Sequence, residues 1–327
     1  MKRPPVFPAP QFPTPKLRPF QRMPPAVFPA IMGLFGLGLA LRRAGDAGLL
    51  PGGFGEAVLG AVSLLWVFAA LGYLAKIAQR PGVVMEDMAV LPGRTGLAAG
   101  SLGLLLLAAA VLPLNPTLAG VLMGMGLVLH LALAGLLILY FLRAAEEARV
   151  VTPAWHLHFV GFIIAGLTAV PLGWTALGEA LLFGTGMVAV VIWGLSLGQL
   201  IRRIPPAPLR PMLAIHLAPA SLLGLVAALL GQGALAQGMA VLGGLLLLGM
   251  LAALRWLTAA GFSALWGAFT FPLAAYGSLL LLLGGGWLWP GVVVLMAALG
   301  VVPVIAAKVL QAWVNGNLAA RTNAATA

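Results

Sequence analysis

Four histidines and seven carboxylates, with no cysteine, are a thin stock of side chains for acid–base, metal or thiol chemistry in a chain of 327 residues. Only His156 and His158 stand close together. On a helix, residues two apart point about 200° away from each other, so this pair is not placed to grip one metal ion. The run Trp155-His156-Leu157-His158 instead predicts an interfacial cluster capping an apolar segment. His130 and His216 stand alone in apolar stretches and are expected as packed, hydrogen-bonded neutral side chains. His216, three residues before Pro219, is the stronger candidate for a pore position. A membrane-embedded serine hydrolase would place a Gly-x-Ser-x-Gly nucleophile turn beside a membrane histidine, and none of the turns between apolar segments has that pattern. Without cysteine, disulfides and thiolate metal sites are excluded. The chain is therefore not expected to be an enzyme, and no cofactor or metal is implied.

The sharpest local signal is apolar. Residues 261–277 read Gly-Phe-Ser-Ala-Leu-Trp-Gly-Ala-Phe-Thr-Phe-Pro-Leu-Ala-Ala-Tyr-Gly, with Pro272 near the middle. Proline removes one rung of a helical ladder, here freeing the carbonyl of Ala268, and pushes the preceding residue away from helical geometry. A bulky Phe271 at a kink among small residues is placed either to plug a narrow pore or to pack as ordinary core.

The elements that must hold these residues follow from the charges, which fall in the gaps between apolar stretches. Hydrophobic residues make up 62% of the chain and charged residues 8%, against about 25% charged in a soluble domain. The stretches run over about 26–42, 56–76, 96–113, 117–142, 158–174, 178–200, 211–230, 233–254, 262–284 and 288–313. Each is near the roughly 20 residues that cross a bilayer. Sixteen of the 18 basic residues fall on the face that carries the N-terminus, and only Arg42 and Arg43 on the other. The positive-inside rule then predicts an even number of spans with both termini cytoplasmic. The net charge of +11 is this loop bias facing anionic lipid, and no nucleic-acid partner is expected.

Three parts are predicted: a proline-rich basic cytoplasmic arm (1–25), a membrane domain (26–314) and a short cytoplasmic tail (315–327). Nine of the first 25 residues are proline, so the arm is expected to be extended. Within the membrane domain the outer turns are short, so the chain reads as five helical hairpins. The odd segments carry prolines and small residues, among them Pro29, Gly33 and Gly36 in the first, Gly166 in the fifth, Pro219 in the seventh and Pro272 in the ninth. Small residues allow close helix approach, and mid-membrane proline is tolerated beside neighbours or a wet cavity. The odd helices are thus the natural inner ring, with these residues as its pore-lining or kink positions. No lysine, aspartate or glutamate lies in the middle of a segment, so the carboxylate of an ion-coupled transporter or the acidic ring of a cation pore is missing. A neutral route with helix-end dipoles and a basic vestibule favours anions.

Three stretches carry a resemblance. Leu265-Trp-Gly-Ala-Phe-Thr-Phe-Pro-Leu273, Phe28-Pro-Ala-Ile-Met-Gly-Leu-Phe-Gly-Leu-Gly38 and Leu217-Ala-Pro-Ala-Ser221 resemble the tellurite-resistance/dicarboxylate transporter family, which includes bacterial TehA and the plant guard-cell slow anion channels. The resemblance implies an all-α polytopic protein of the bacterial inner membrane, with ten transmembrane helices around a quasi-fivefold central pore. It implies a homotrimer with one pore per subunit. It also implies that Phe271 is the gate, although Trp266 lies five residues before it where the family has four, which keeps Phe269 as a second candidate. The implied function is a channel for small anions such as chloride or nitrate, or else a proton-coupled carrier of C4-dicarboxylates. Membrane lipid is the remaining partner. Tellurite itself finds no thiol here.

Overall fold

The computed structural model describes residues 18–145 and 149–327. The first seventeen residues of the expected arm, and Glu146 and Glu147, lie outside the described residues. Every regular element described is helical. Nine helices among the described residues are long and apolar enough to span a membrane. A tenth apolar helix, His156–Ala169, is shorter.

The elements come in pairs. Helix α1 (Phe28–Asp46) packs on α2 (Phe54–Gln79); a short α3 (Val83–Ala89) leads into α4 (Leu91–Val111), which packs on α5 (Pro116–Arg143). The broken segment ending in α6 (Gly166–Ala169) packs on α7 (Thr175–Arg202), and α8 (Leu217–Leu229) on α9 (Gly233–Ala252). After α10 (Leu254–Leu257), α11 (Thr270–Leu283) packs on α12 (Leu288–Val314), and α13 (Asn317–Arg321) ends the chain.

The first members of the pairs form a closed ring. Helix α1 touches α4, α4 touches the α6 segment, that segment touches α8, α8 touches α11, and α11 returns to α1. The partition expected from composition is clear in burial. In Pro25–Asp46, Leu91–Val111, Ala207–Leu229 and Ala264–Leu283, between 67 and 89% of the most apolar stretch is buried; in α2, α5, α7, α9 and the last long helix it is 17 to 39%. The outer helices expose Leu64, Val128, Val190, Leu245 and Val293, as lipid-facing helices do.

Small residues set the spacing of the ring. A Cβ placed on Gly33 would meet Thr270 Oγ1 at 2.2 Å, and one on Gly166 would meet Val226 at 2.7 Å. Trp66 Nε1 crosses from α2 to donate to the Gly100 carbonyl at 3.1 Å, over a Gly103 that has no side chain to obstruct it.

The inner elements share a second feature that periodicity did not predict. Four of the five open irregularly on one face and become α-helical deeper in. Residues Pro25–Val27, Ala207–His216 and Ala264–Phe269 are 3₁₀ and lead into α1, α8 and α11. His156–Val160 is π-helical, followed by 3₁₀ Gly161–Ala165 and a single α turn. The expected fifth span over 158–174 is thus 14 residues of broken helix, His156–Ala169. Pro272 does not kink a continuous helix at midpoint. It is the third residue of α11, as Pro219 is of α8, and Pro29 is the second of α1. A first-turn proline costs no ladder bond, because those N–H groups have no intrahelical acceptor.

Both described ends meet on one face. The Ala327 N–H donates to the Gln21 carbonyl at 2.9 Å, and Arg80 Nε donates to the Thr326 carbonyl at 3.1 Å. The end of the expected arm is therefore packed: Met23 is buried, and Phe20 lies edge-on to Phe68 at 5.7 Å.

Candidate functional site

All five inner elements contribute to one cavity of about 60 Å³, room for a few water molecules. Its walls come from their opening halves, on the face where the termini meet. The deepest lining residue is Met32 on the first inner element, Leu102 on the second, Ile164 on the third, Leu222 on the fourth and Pro272 on the fifth. Beyond that depth the ring is packed, with Phe35, Leu105 and Leu279 fully buried.

Of the residues expected at a pore, Pro29, Pro219, Phe271 and Pro272 line this cavity. Gly33, Gly36 and Gly166 do not; they sit where inner helices press together. His216 also does not line it. Its ring turns toward α7, where Ser196 Oγ lies 2.7 Å from Nε2 and Trp193 Nε1 donates to its carbonyl at 3.2 Å. The histidine on the wall is His156, buried at the opening of the broken segment that follows Trp155, with Nε2 2.9 Å from His216 Nδ1. Phe269 is half-buried against Trp266 at 5.8 Å and is not on the wall.

Sequence reasoning missed this polar chain because its members are 20 and 60 residues apart. One local signal was present. Gly194-Leu-Ser196-Leu-Gly198 has the Gly-x-Ser-x-Gly spacing, although within a span and not at a turn. Ser196 does reach a histidine, but it sits inside the regular α7 helix. There the backbone N–H groups that could form an oxyanion hole are spent on the helical ladder, and Ser196 does not line the cavity.

The other two histidines are framework. His130 Nε2 donates to the His158 carbonyl at 3.1 Å, while Nδ1 lies 2.7 Å from Ser101 Oγ, clamping α4, α5 and the π segment together. His158 Nδ1 donates to the Ala154 carbonyl at 3.1 Å. Among the described residues no cluster of three or more His, Asp or Glu could hold a metal ion.

Among the described residues no charged side chain lines the cavity. Arg94 precedes the lining residue Thr95 and Arg210 stands two before Met212, but their guanidinium groups lie over Tyr140 at 5.6 Å and Trp256 at 4.6 Å. Four of the acids are matched by cations. Asp46 lies 3.6 Å from Arg43, Glu56 2.6 Å from Arg42 and Asp87 2.7 Å from Lys76, and Glu86 pairs with Arg80. The Arg80 hydrogen bond holds the exposed Glu86 carboxyl below its ordinary range.

Residues 22–312 match the family model described as SLAC1, voltage-dependent anion channel. No curated protein matches the chain.

Proposed function

The chain belongs to the SLAC1 family of voltage-dependent anion channels, and we propose that it passes small monovalent anions such as chloride or nitrate by electrodiffusion along the axis of the inner ring. The observation that carries this reading is the cavity itself. Five inner elements wall it, no acidic side chain among the described residues lines it, and Phe271 is on its wall. The α-helical portions of α1, α8 and α11 begin around its depth, so their positive ends add to an anion-favouring field.

Phe271 is the gate in this reading, and the resting state is closed. The broken His156–Ala169 segment makes the tenth crossing; the bond between Ala327 and Gln21 supports the even count by putting both ends on one face. That face carries the basic excess and is cytoplasmic by the positive-inside rule. The membrane is the bacterial inner membrane, and the exposed apolar outer helices pack as a homotrimer. The proline-rich arm (1–25), the channel domain (26–314) and the tail (315–327) keep their sequence-based limits.

A second reading, a proton-coupled carrier of C4-dicarboxylates, is favoured by one observation: a histidine on the cavity wall is hydrogen-bonded to another. Reversal potentials in planar bilayers separate the two. A channel follows the anion gradient at every pH. A proton symporter shifts its reversal potential with the pH gradient, and a current that follows potassium defeats both.

A further inference from the structure

We propose that His156 is the side-chain hydrogen-bond donor of an anion-binding site in the cavity, with His216 and Ser196 as positioning residues that set its tautomer. The inference rests on the anion-conducting reading above and names the binding group within it.

Among the described residues the lining contains two polar side chains, Thr95 and His156. Thr95 Oγ1 gives its proton to backbone, with the Leu91 and Pro92 carbonyls at 3.0 and 3.1 Å. What Thr95 leaves to the cavity is lone-pair density, which repels an anion. His156 is different. Its Nε2 is engaged with His216, while Nδ1 is enclosed and has no partner, on a side chain that is 2% exposed. Native proteins seldom leave a buried polar atom unpaired, and such an atom signals a ligand or a role.

The direction of the chain follows from counting protons. A neutral imidazole carries one N–H. If that proton is on His156 Nδ1, then Nε2 offers a lone pair and must accept from His216 Nδ1–H. The His216 Nε2 is then a lone pair in turn, and accepts from the Ser196 hydroxyl 2.7 Å away. Every bond in the series has one donor and one acceptor, and its free end is the enclosed, unpartnered Nδ1–H of a residue on the cavity wall. The series starts on α7, passes through His216 at the end of the 3₁₀ segment Ala207–His216 and ends on the π-helical His156–Val160. Aligned donors polarise one another, which strengthens the terminal N–H toward negative charge. In the reverse alignment Nδ1 is a lone pair, and Ser196 Oγ accepts from His216 Nε2. It suits a cavity ligand that donates a proton. An anion selects the first alignment, so the site takes a small anion that accepts a hydrogen bond, such as chloride or nitrate, without a fixed positive charge that would hold it.

The test uses the full chain in nanodiscs, labelled with ¹⁵N-histidine and titrated with sodium chloride against sodium gluconate. The His156 Nδ1 resonance is assigned by its loss in His156→Asn or its displacement in Ser196→Ala. Chloride is expected to move it saturably, with Nδ1 in the protonated form. In liposome flux, His156→Asn should lower chloride permeability relative to thiocyanate by about tenfold, the scale of one hydrogen bond to a charged group. Thiocyanate is weakly hydrated and needs that bond least. Ser196→Ala, away from the cavity, should move the ratio in the same direction by a smaller factor. A Nδ1 resonance indifferent to chloride, or one unprotonated at saturating chloride, overturns the proposal. So does an unchanged permeability ratio in a folded His156→Asn. If that variant does not fold, the wild-type titration decides alone. A chloride-dependent Nδ1 shift in a protein that carries no anion current would keep this site and remove the conducting reading instead.

Discussion

The ring of Phe271 lies over Gly36: a Cβ built on Gly36 would come within 2.9 Å of the ring's Cδ2, and within 3.3 Å of Ala274 Cβ. Phe271 is 4% exposed and lines the cavity. The glycine of the first inner helix thus provides the bed for the aromatic side chain of the last, across the seam that closes the ring. The first-turn position of Pro272 fixes the backbone immediately after that side chain.

Gly36→Ala fills this bed. The ring must tilt away from α1, toward the axis, and anion flux should fall severalfold while the protein still folds. In a Phe271→Ala background the same substitution should change flux little, because the ring is gone and the Ala274 contact is only slightly tight. Equal effects in the two backgrounds, measured by liposome efflux, would separate Gly36 from the gate.

The Lys76–Asp87 pair should behave as a structural node. Both side chains are fully buried, 2.7 Å apart. The Tyr73 hydroxyl donates to the same Asp87 oxygen at 2.9 Å, and Lys76 also donates to the Met23 carbonyl at 3.0 Å. The Ala325 N–H fills the second oxygen at 2.8 Å. Asp87→Ala strands a buried ammonium and should cost about 3–5 kcal/mol. Lys76→Met combined with Asp87→Leu should recover most of it. Thermal unfolding followed by size-exclusion checks both, and a double variant as unstable as the single one would refute the account.

The C-terminal tether should loosen in acid. Arg80 binds both Glu86 and the Thr326 carbonyl. The Arg80 hydrogen bond lowers the Glu86 pKa from an ordinary value of 4.5. A depressed carboxylate stabilises the fold above its unfolded value, and that contribution is lost as pH falls through the folded value. A spin label on Asn323→Cys should keep constant mobility from pH 7 to pH 5 and gain mobility only as the pH falls below the ordinary glutamate value of 4.5. The effect is small and salt-sensitive, because both groups are exposed. Glu86→Gln should abolish the pH dependence, and a transition centred near pH 6 would point to another group.

Much of this architecture was legible in the sequence. Pro29, Gly33 and Gly36 on odd segments, against Leu- and Val-rich even ones, marked the inner and outer rings, because packing density and lipid contact select different residues. Phe271 could be singled out by its place before Pro272. The 3₁₀ openings could not be read, since Pro219 and Pro272 announce a break without saying which backbone replaces the helix. Lys76 and Asp87 stood in a charged gap that reads as solvated loop, and only the tertiary fold shows them buried. The approach of His156, His216 and Ser196 joins three helices, and no local period encodes it.

Phe271→Ala tests the gate directly. Truncation takes most of a phenyl ring from the wall of an apolar cavity beyond which Phe35, Leu105 and Leu279 are fully buried. If the ring is the barrier, the vacated volume extends the cavity toward the opposite face, and anion conductance should rise by an order of magnitude or more. A lower barrier of about 1.4 kcal/mol is already tenfold. Phe271→Leu should lie between, because a leucine fills part of the same space. If the ring is only core, truncation should instead cost about 3–5 kcal/mol of stability with no gain in current. Phe269→Ala is the control, since Phe269 rests half-buried on Trp266 off the cavity wall. It should leave conductance unchanged. A Phe271→Ala protein that folds and conducts like the wild type would remove Phe271 as the gate, and a conducting Phe269→Ala would move the gate two residues earlier.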